Sequence, residues 1–182
     1  MDKLPAGTPR TVNVDDDVDL GVVLDRVLEC ARELTGARYG ALCVLNDARD
    51  GLERFCAVGV DQDARTGLGP LPRGRGVLGD LILDPVPVRL ADIGEHPRFY
   101  GFPSGHPPMR SFLGVALLAG GTSVGSVYLT EKEGGTPFTE TDERSIVALA
   151  GVAGRALDHA RRHAEPELTD RPENTEPQRV HP

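Results

Sequence analysis

Two apolar segments separated by a glycine pair constrain the fold of this chain more than any other feature. The segments are Ser111–Leu118 and Thr122–Thr130, and the residues Ala-Gly-Gly lie between them. Apolar runs on either side of a glycine pair are typical of a β-hairpin. The sequence therefore predicts two adjacent antiparallel strands near the middle of the chain.

Alternation within the second segment assigns its side chains to two faces of a sheet. We expect Val124, Ser126, Tyr128 and Thr130 on one face, and Gly125, Val127 and Leu129 on the other. One histidine, His106, precedes the hairpin in a proline-containing loop. An imidazole can ligate a metal and a phenol can donate a hydrogen bond, although such residues are more often plain loop and core residues.

Amphipathic helices are expected at both ends of the domain. Between residues 18 and 35, apolar side chains recur at steps of three and four, and Gly36 is placed to end that helix. A second such helix follows Thr139, which we expect to cap it together with Asp142 three residues later. Its apolar stripe continues to about His163.

Shorter elements fill the interval between these helices. We expect strands at 39–46, 52–60 and 86–90 and a short helix at 77–83. Strands between terminal helices predict an α+β fold, with a central antiparallel β-sheet and the terminal helices packed on one face. We expect one domain at 15–163, a disordered leader at 1–14 and a disordered acidic, proline-rich tail at 164–182.

Composition limits the partners and the compartment. The net charge of −8 and the lack of a basic cluster argue against nucleic acid. No apolar stretch approaches the roughly 18 residues of a transmembrane helix, and the N-terminus lacks a hydrophobic signal core. We therefore expect a cytoplasmic protein with no membrane partner. Its cysteines, Cys30, Cys43 and Cys56, are expected to be free thiols, although Cys43 and Cys56 could form a redox pair on neighbouring strands.

No sequence motif indicates catalysis. The chain has no nucleophile elbow, no zinc-protease motif, no Walker lysine and no paired Cys/His ligand spacing. We therefore expect a binding module that is not an enzyme and has no catalytic residues. The terminal helices cannot easily bury both a sheet face and each other's alanine-rich sides, so we also expect a homodimer formed through them.

Six segments of the chain occur in the order found in GAF domains. They are ARYGALCVLN, GLGPLPRGRGVLGDLI, PVRLADIGEHP, GFPSGHPPMRSFLGV, GSVYLTEKEGG and FTETDE. Over about residues 18–162 the chain resembles a GAF domain. More narrowly, it resembles the GAF domains of the actinobacterial DevS/DosT-type haem sensor histidine kinases, which sense oxygen, nitric oxide and carbon monoxide.

The resemblance implies a cofactor and two central site residues. In those sensors a histidine on the loop before the hairpin ligates the haem iron, and a tyrosine on the following strand hydrogen-bonds the gas. The matching residues are His106 and Tyr128, which implies haem b, a metal ligand at His106 and a diatomic gas ligand. We expect further cofactor contacts from Phe102, Met109 and Phe112.

The chain also departs from those sensors. Ala116 stands where that family often has proline, and we expect no kinase after the domain. We therefore expect the signal to pass to a separate histidine kinase or other signalling protein. The alternatives are a GAF domain that binds another small molecule, or one that serves in dimerisation or signalling alone.

Three other GAF activities match the residues poorly. Bilin attachment is disfavoured because no cysteine neighbours a histidine, and methionine-sulfoxide reduction because the cysteines are scattered. The cyclic-nucleotide signature is matched only at its end, by Phe138 and Asp142-Glu143.

Overall fold

The computed structural model describes residues 20–60, 76–102 and 106–164. In chain order the helices and strands are α1 (Leu20–Thr35), β1 (Ala37–Leu45), β2 (Leu52–Val58), α2 (Val77–Leu83), β3 (Val88–Leu90), β4 (Phe112–Ala119), β5 (Thr122–Lys132) and α3 (Glu140–Ala164). The strands form one antiparallel sheet in the order β2-β1-β5-β4-β3. The predicted leader lies outside the described residues, as does the predicted tail beyond Ala164.

Both terminal helices pack on the same face of the sheet. Helix α1 contacts β1, α3 contacts β4, and the two helices contact each other. Their apolar stripes and the facing strand residues form a core that includes Leu24, Leu28, Ala31, Leu42, Leu113, Val127, Leu129, Ile146, Ala153 and Leu157. The predicted α+β architecture, with a central antiparallel sheet and its terminal helices on one face, is confirmed.

The opposite face of the sheet is only partly covered. Helix α2 packs there against β4 and β5, and its side chains Val77 and Leu81 form a smaller cluster with Ile93 and Phe112. Among the described residues, this seven-residue helix packs on β4 and β5. The part of this face that belongs to β1 and β2 lies beyond it, and the candidate pocket is found there.

The central hairpin forms as predicted. Gly120 and Gly121 have φ angles of 56° and 83°, the left-handed values that a tight hairpin turn requires. In the resulting register, Tyr128 lies opposite Gly114 on β4 and opposite Ala41 on β1. Both neighbours are small, so they leave room beside the phenol ring.

Two strands are shorter than the sequence pattern indicates. Strand β2 ends at Val58 because Gly59 has a φ angle of 80° and turns the chain away. Strand β3 begins only at Val88, since Pro85 and Pro87 have no amide hydrogen to donate to a ladder.

The cap of α3 also forms as predicted. The Thr139 amide donates to Asp142 Oδ2 at 2.6 Å, and the Asp142 amide donates to Thr139 Oγ1 at 3.2 Å. These reciprocal bonds satisfy amides that a helix N-terminus leaves without intrahelical partners. At the end of α1, Gly36 takes the φ angle of 64° expected of a C-cap.

Candidate functional site

An open pocket lies on the face of the sheet opposite to the terminal helices. The space it encloses is about 400 Å³ when open solvent at the mouth is included. The described lining residues are Tyr39, Gly40, Ala41, Phe55, Ala57, Val60, His106, Pro107, Met109, Tyr128 and Thr130. None of these is an Asp, Glu, Lys or Arg, so the described wall is largely apolar with a few polar atoms.

His106 is held in one orientation by two contacts. Its Nδ1 lies 2.8 Å from the carbonyl oxygen of Pro107. A carbonyl only accepts, so Nδ1 carries the hydrogen and the Nε2 lone pair stays available as a ligand. The ring also stacks on Phe102, with centroids 4.6 Å apart and an interplanar angle of 8°.

No cluster of protein ligands surrounds this imidazole. Within the described ranges, no three His, Cys, Asp or Glu side chains come together in a way that could hold a metal ion. A metal bound at His106 would therefore take most of its ligands from elsewhere. Iron within a porphyrin meets that condition, because a single protein imidazole can hold it.

Tyr128 forms part of the pocket wall from the middle of β5. Burial raises the pKa of its phenol well above the ordinary value of 10.0, and the neighbouring Cys43 raises it further. The phenol therefore keeps its proton at neutral pH and can act as a hydrogen-bond donor.

The other three predicted site residues occupy different places. Met109 lines the pocket, and its sulfur accepts a hydrogen bond from Thr130 Oγ1 at 3.0 Å. Phe102 supports His106 by stacking, as described above. Phe112 is only 1% exposed and packs beneath α2, with its ring centroid 6.2 Å from that of Tyr128. The structure thus groups His106, Tyr128 and Met109 in one pocket, while Phe112 lies outside its lining.

Sequence reasoning missed the wall made by the first two strands. Tyr39 and Ala41 come from β1, and Phe55 and Ala57 come from β2. Alternation along β1 puts Tyr39 and Ala41 on one face, so the β1 part of the wall could have been predicted from the sequence. The β2 half depends on the pairing of Ala41 with Ala57, which only the strand register reveals.

Cys43 and Cys56 lie on neighbouring strands but on opposite faces of the sheet. Cys43 is paired with Phe55, and its sulfur lies 3.1 Å from Ser126 Oγ on the pocket side. Cys56 is paired with Leu42 and packs on the helix side. Both thiols are free, and this geometry excludes the redox pair. Burial raises the pKa of Cys43, and it raises that of Cys56 to about 11, which makes both poor nucleophiles.

An antiparallel sheet with helices on one face and an apolar pocket on the other defines a small α+β domain. The GAF domain family matches residues 17–158. The chain therefore belongs to the GAF domain family, a family of sensory and signalling modules. No helix in the described residues is both long and apolar enough to cross a bilayer.

Several solved structures share this fold. The GAF domain of a phosphoenolpyruvate-protein phosphotransferase from Coxiella burnetii is 22% identical, with a TM-score of 0.65 over 79% of this chain and 93% of that one. Residues 122 to 287 of a methyl-accepting chemotaxis protein are 20% identical, with a TM-score of 0.67 over 81% of this chain and 93% of that one. At such identities the similarity shows the fold.

A third similar structure corrects the expectation that this chain is not an enzyme. The free methionine-R-sulfoxide reductase from Neisseria meningitidis, solved in complex with its substrate, is 21% identical, with a TM-score of 0.58 over 79% of this chain and 86% of that one. The same fold thus carries a catalytic site, so the expectation of no catalytic activity is contradicted. This likeness by itself assigns no reaction to the chain.

Proposed function

We propose that this GAF domain is a sensor module whose pocket binds haem b through His106. The observation that carries the proposal is the hydrogen bond from His106 Nδ1 to the Pro107 carbonyl oxygen, 2.8 Å long. That bond fixes the tautomer in which Nε2 can donate its lone pair, and metal-ligating histidines usually donate their other ring N–H to such a carbonyl or carboxylate oxygen. The donor therefore fits haem iron.

The chain's own residues would divide the remaining work in that pocket. Bound haem would supply the iron that takes a diatomic gas. The Tyr128 phenol, kept protonated by its raised pKa, would donate a hydrogen bond to a polar ligand. Tyr39, Phe55 and Met109 would pack against the cofactor and exclude water from it.

An absorption spectrum of the purified chain tests the proposal directly. The protein is mixed with haemin and passed through a gel-filtration column. Haemin alone in the same buffer is the blank. We expect a Soret band that elutes with the protein at about one haem per chain. A protein fraction that stays colourless after haemin is added would remove the haem proposal.

A second candidate is a GAF domain that binds a smaller, neutral ligand. The observation in its favour is the lack of a permanent charge among the described lining residues, which leaves the two carboxylates of haem without a partner there. Thermal-shift measurements with neutral aromatic compounds would test this candidate. A rise in the melting temperature with such a compound and none with haemin would favour it over haem.

We further propose that the signal leaves through the terminal helices. Val22 of α1 and Val147 and Val152 of α3 are 56%, 43% and 42% exposed, which is high for apolar side chains on packed helices. They are suited to a homodimer contact, and a separate histidine kinase or other signalling protein would read the resulting state. A cytoplasmic location stays a prediction.

A further inference from the structure

We propose that the last three residues of β5 couple the pocket to the ends of the two terminal helices. These residues, 130–132, are called the β5 end, and residues 106–111 are called the pocket loop. The helix junction is the end of α1 at Thr35 and Gly36 together with the cap of α3 at Thr139 and Asp142. The purpose of the coupling rests on the proposed sensor function, whereas the contacts are independent of the ligand's identity.

Each residue of the β5 end is bonded to the pocket loop. The contacts are Thr130 Oγ1 to Met109 Sδ at 3.0 Å, the Arg110 amide to Glu131 Oε1, and the Lys132 amide to Ser111 Oγ at 2.9 Å. The Glu131 amide adds a bond to the Ser111 carbonyl oxygen at 3.1 Å. The loop that carries His106 is therefore fixed to the strand at three successive positions.

Glu131 makes these bonds from a strained backbone. Its φ angle is 56°, a left-handed value that is unfavourable for a residue with a Cβ atom. Such strain persists only where surrounding bonds hold it in place. Here the holding bonds are those to Arg110 and Ser111, so the backbone of Glu131 is sensitive to the position of the pocket loop.

Lys132 extends the connection to both terminal helices. Its Nζ donates to the Thr35 carbonyl oxygen at 2.7 Å and to Asp142 Oδ2 at 2.8 Å. The same carboxylate oxygen accepts from the Thr139 amide, so the lysine bonds directly to the cap of α3. The next residue, Glu133, donates its amide to the Gly36 carbonyl oxygen at 2.8 Å.

Lys132 thus bonds to the pocket loop through its backbone amide and to the helix junction through its side chain. A ligand that fixes His106 in place would restrict the pocket loop, and the Lys132 amide with it. The ammonium group would then hold the helix junction more firmly. Because coupling between two sites is reciprocal, loosening the helix junction must also loosen the pocket loop.

Amide hydrogen exchange in the ligand-free full chain tests this reciprocity. The variant Asp142→Asn weakens the lysine contact at the helix junction without touching the pocket. The matched control is Arg161→Gln, which removes the bond from Arg161 Nη2 to the Leu45 carbonyl oxygen at the other end of α3, 2.6 Å long. Rates are compared with those of the paired Val115 and Val127 amides of β4 and β5, which report any global loss of stability.

We expect the Arg110 and Lys132 amides to exchange about tenfold faster in Asp142→Asn than in the control. Equal rates in the two variants would overturn the coupling. If Asp142→Asn does not fold, the variant Glu131→Gly tests the coupling in the opposite direction, from the pocket loop to the helix junction. It relieves the strained φ angle and removes the bond to Arg110, and it should speed exchange of the Glu133 amide. An unchanged Glu133 rate would likewise overturn the proposal.

Addition of haemin separates this inference from the proposed function. In the natural sequence, bound haemin should slow exchange at the helix junction, and Asp142→Asn should abolish that protection. Binding without any slowing there would overturn the coupling. Failure of haemin to bind would remove the haem proposal alone, because the ligand-free exchange rates already decide whether the β5 end connects the two regions.

Discussion

His106 is the residue through which the haem proposal can be tested most sharply. We expect His106→Ala to abolish or alter the axial ligation of bound haem, because the loop offers no second imidazole at the same place. The matched control is His96→Ala. His96 does not line the pocket, and its Nε2 lies 3.8 Å from Asp80 Oδ2. Spectra of both variants with haemin check this, and an unchanged Soret band in His106→Ala would show that another residue holds the iron.

Tyr128→Phe tests the role of the phenol without changing the shape of the ring. We expect haem content to stay the same and O₂ dissociation to accelerate about 10- to 100-fold, since a hydrogen bond to a charged acceptor contributes roughly 1.5–3 kcal/mol. Carbon monoxide gains less from a donor and serves as the internal control. Stopped-flow dissociation rates measure both gases. Equal acceleration of the two would mean that Tyr128 only packs in the pocket.

The site shows how far individual residues can be predicted from the sequence. A proline loop, a strand alternation and the family resemblance pointed to His106 and Tyr128, and the structure brings them into one pocket. Phe112 was expected to contact the same cofactor but packs under α2, because the placement of a short helix over the sheet is a long-range packing result. Phe55 was missed for a related reason, since strand register decides which side chains meet across β1 and β2.

At the scale of elements, the close contact between α3 and β4 makes a stability prediction. A Cβ atom built at Gly154 would lie 2.1 Å from the Leu118 carbonyl oxygen, so a side chain there must push the helix away from the sheet. We expect Gly154→Ala to lower the free energy of unfolding by about 1–3 kcal/mol, although alanine favours helices.

The control for this prediction lies one turn away in the same helix. A Cβ atom at Gly151 would meet only Arg155 Nη1, at 3.5 Å, so Gly151→Ala should gain up to about 1 kcal/mol from helix propensity. Denaturant unfolding of the two variants measures both values. Stabilisation by both substitutions would show that α3 can move away from β4 at little cost.

The cap of α3 predicts how stability depends on pH. Burial raises the pKa of Asp142, but the bonds from Lys132 and Thr139 outweigh it, so the folded-state pKa lies below the ordinary 3.8. A lowered pKa contributes stability that is present above 3.8 and is lost as the pH falls below it. We expect Asp142→Asn to cost roughly 1.5–3 kcal/mol at pH 7, and the difference from the natural sequence to shrink below that pKa.

Unfolding curves at several pH values measure this difference. Asp158→Asn is the control, because the pair of Asp158 with Arg162 is partly solvent-exposed and should contribute under about 0.5 kcal/mol. A cost for Asp142→Asn that persists unchanged at low pH would mean that the carboxylate charge is not what stabilises the cap.

Elements were predicted well where local patterns decide them and poorly where pairing decides them. The helix stripes and the capping residues of α3 are local, and both were confirmed. Val124 was expected on the face of Tyr128, yet it packs in the core on the helix side. The strand pairing shifts register between Leu117 and Leu118, and such an irregularity breaks the period of two that the prediction assumed.

For the whole molecule, the two faces of the sheet have different roles. The helix side buries a continuous core, and the order of helices and strands was enough to predict it. The pocket side has few polar groups among its described lining residues, chiefly those of His106, Tyr39, Tyr128 and Thr130. Structures that share this fold include a chemotaxis protein segment and a sulfoxide reductase. The fold can therefore be inferred from pattern, whereas the ligand must be found by experiment.

The last prediction concerns assembly through the terminal helices. We expect the chain to be a dimer with twice the chain mass of 19.5 kDa, because water would otherwise contact apolar side chains on the outer surface of α1 and α3. The double variant Val147→Arg, Val152→Arg should be monomeric, since two charges on each helix face would repel in a symmetric contact. Leu83→Arg is the control, as Leu83 is 77% exposed but lies on α2. Light scattering after gel filtration measures the masses. A natural chain that is monomeric would contradict the dimer. Loss of the dimer in Leu83→Arg alone would place the dimer contact on α2 instead of the terminal helices.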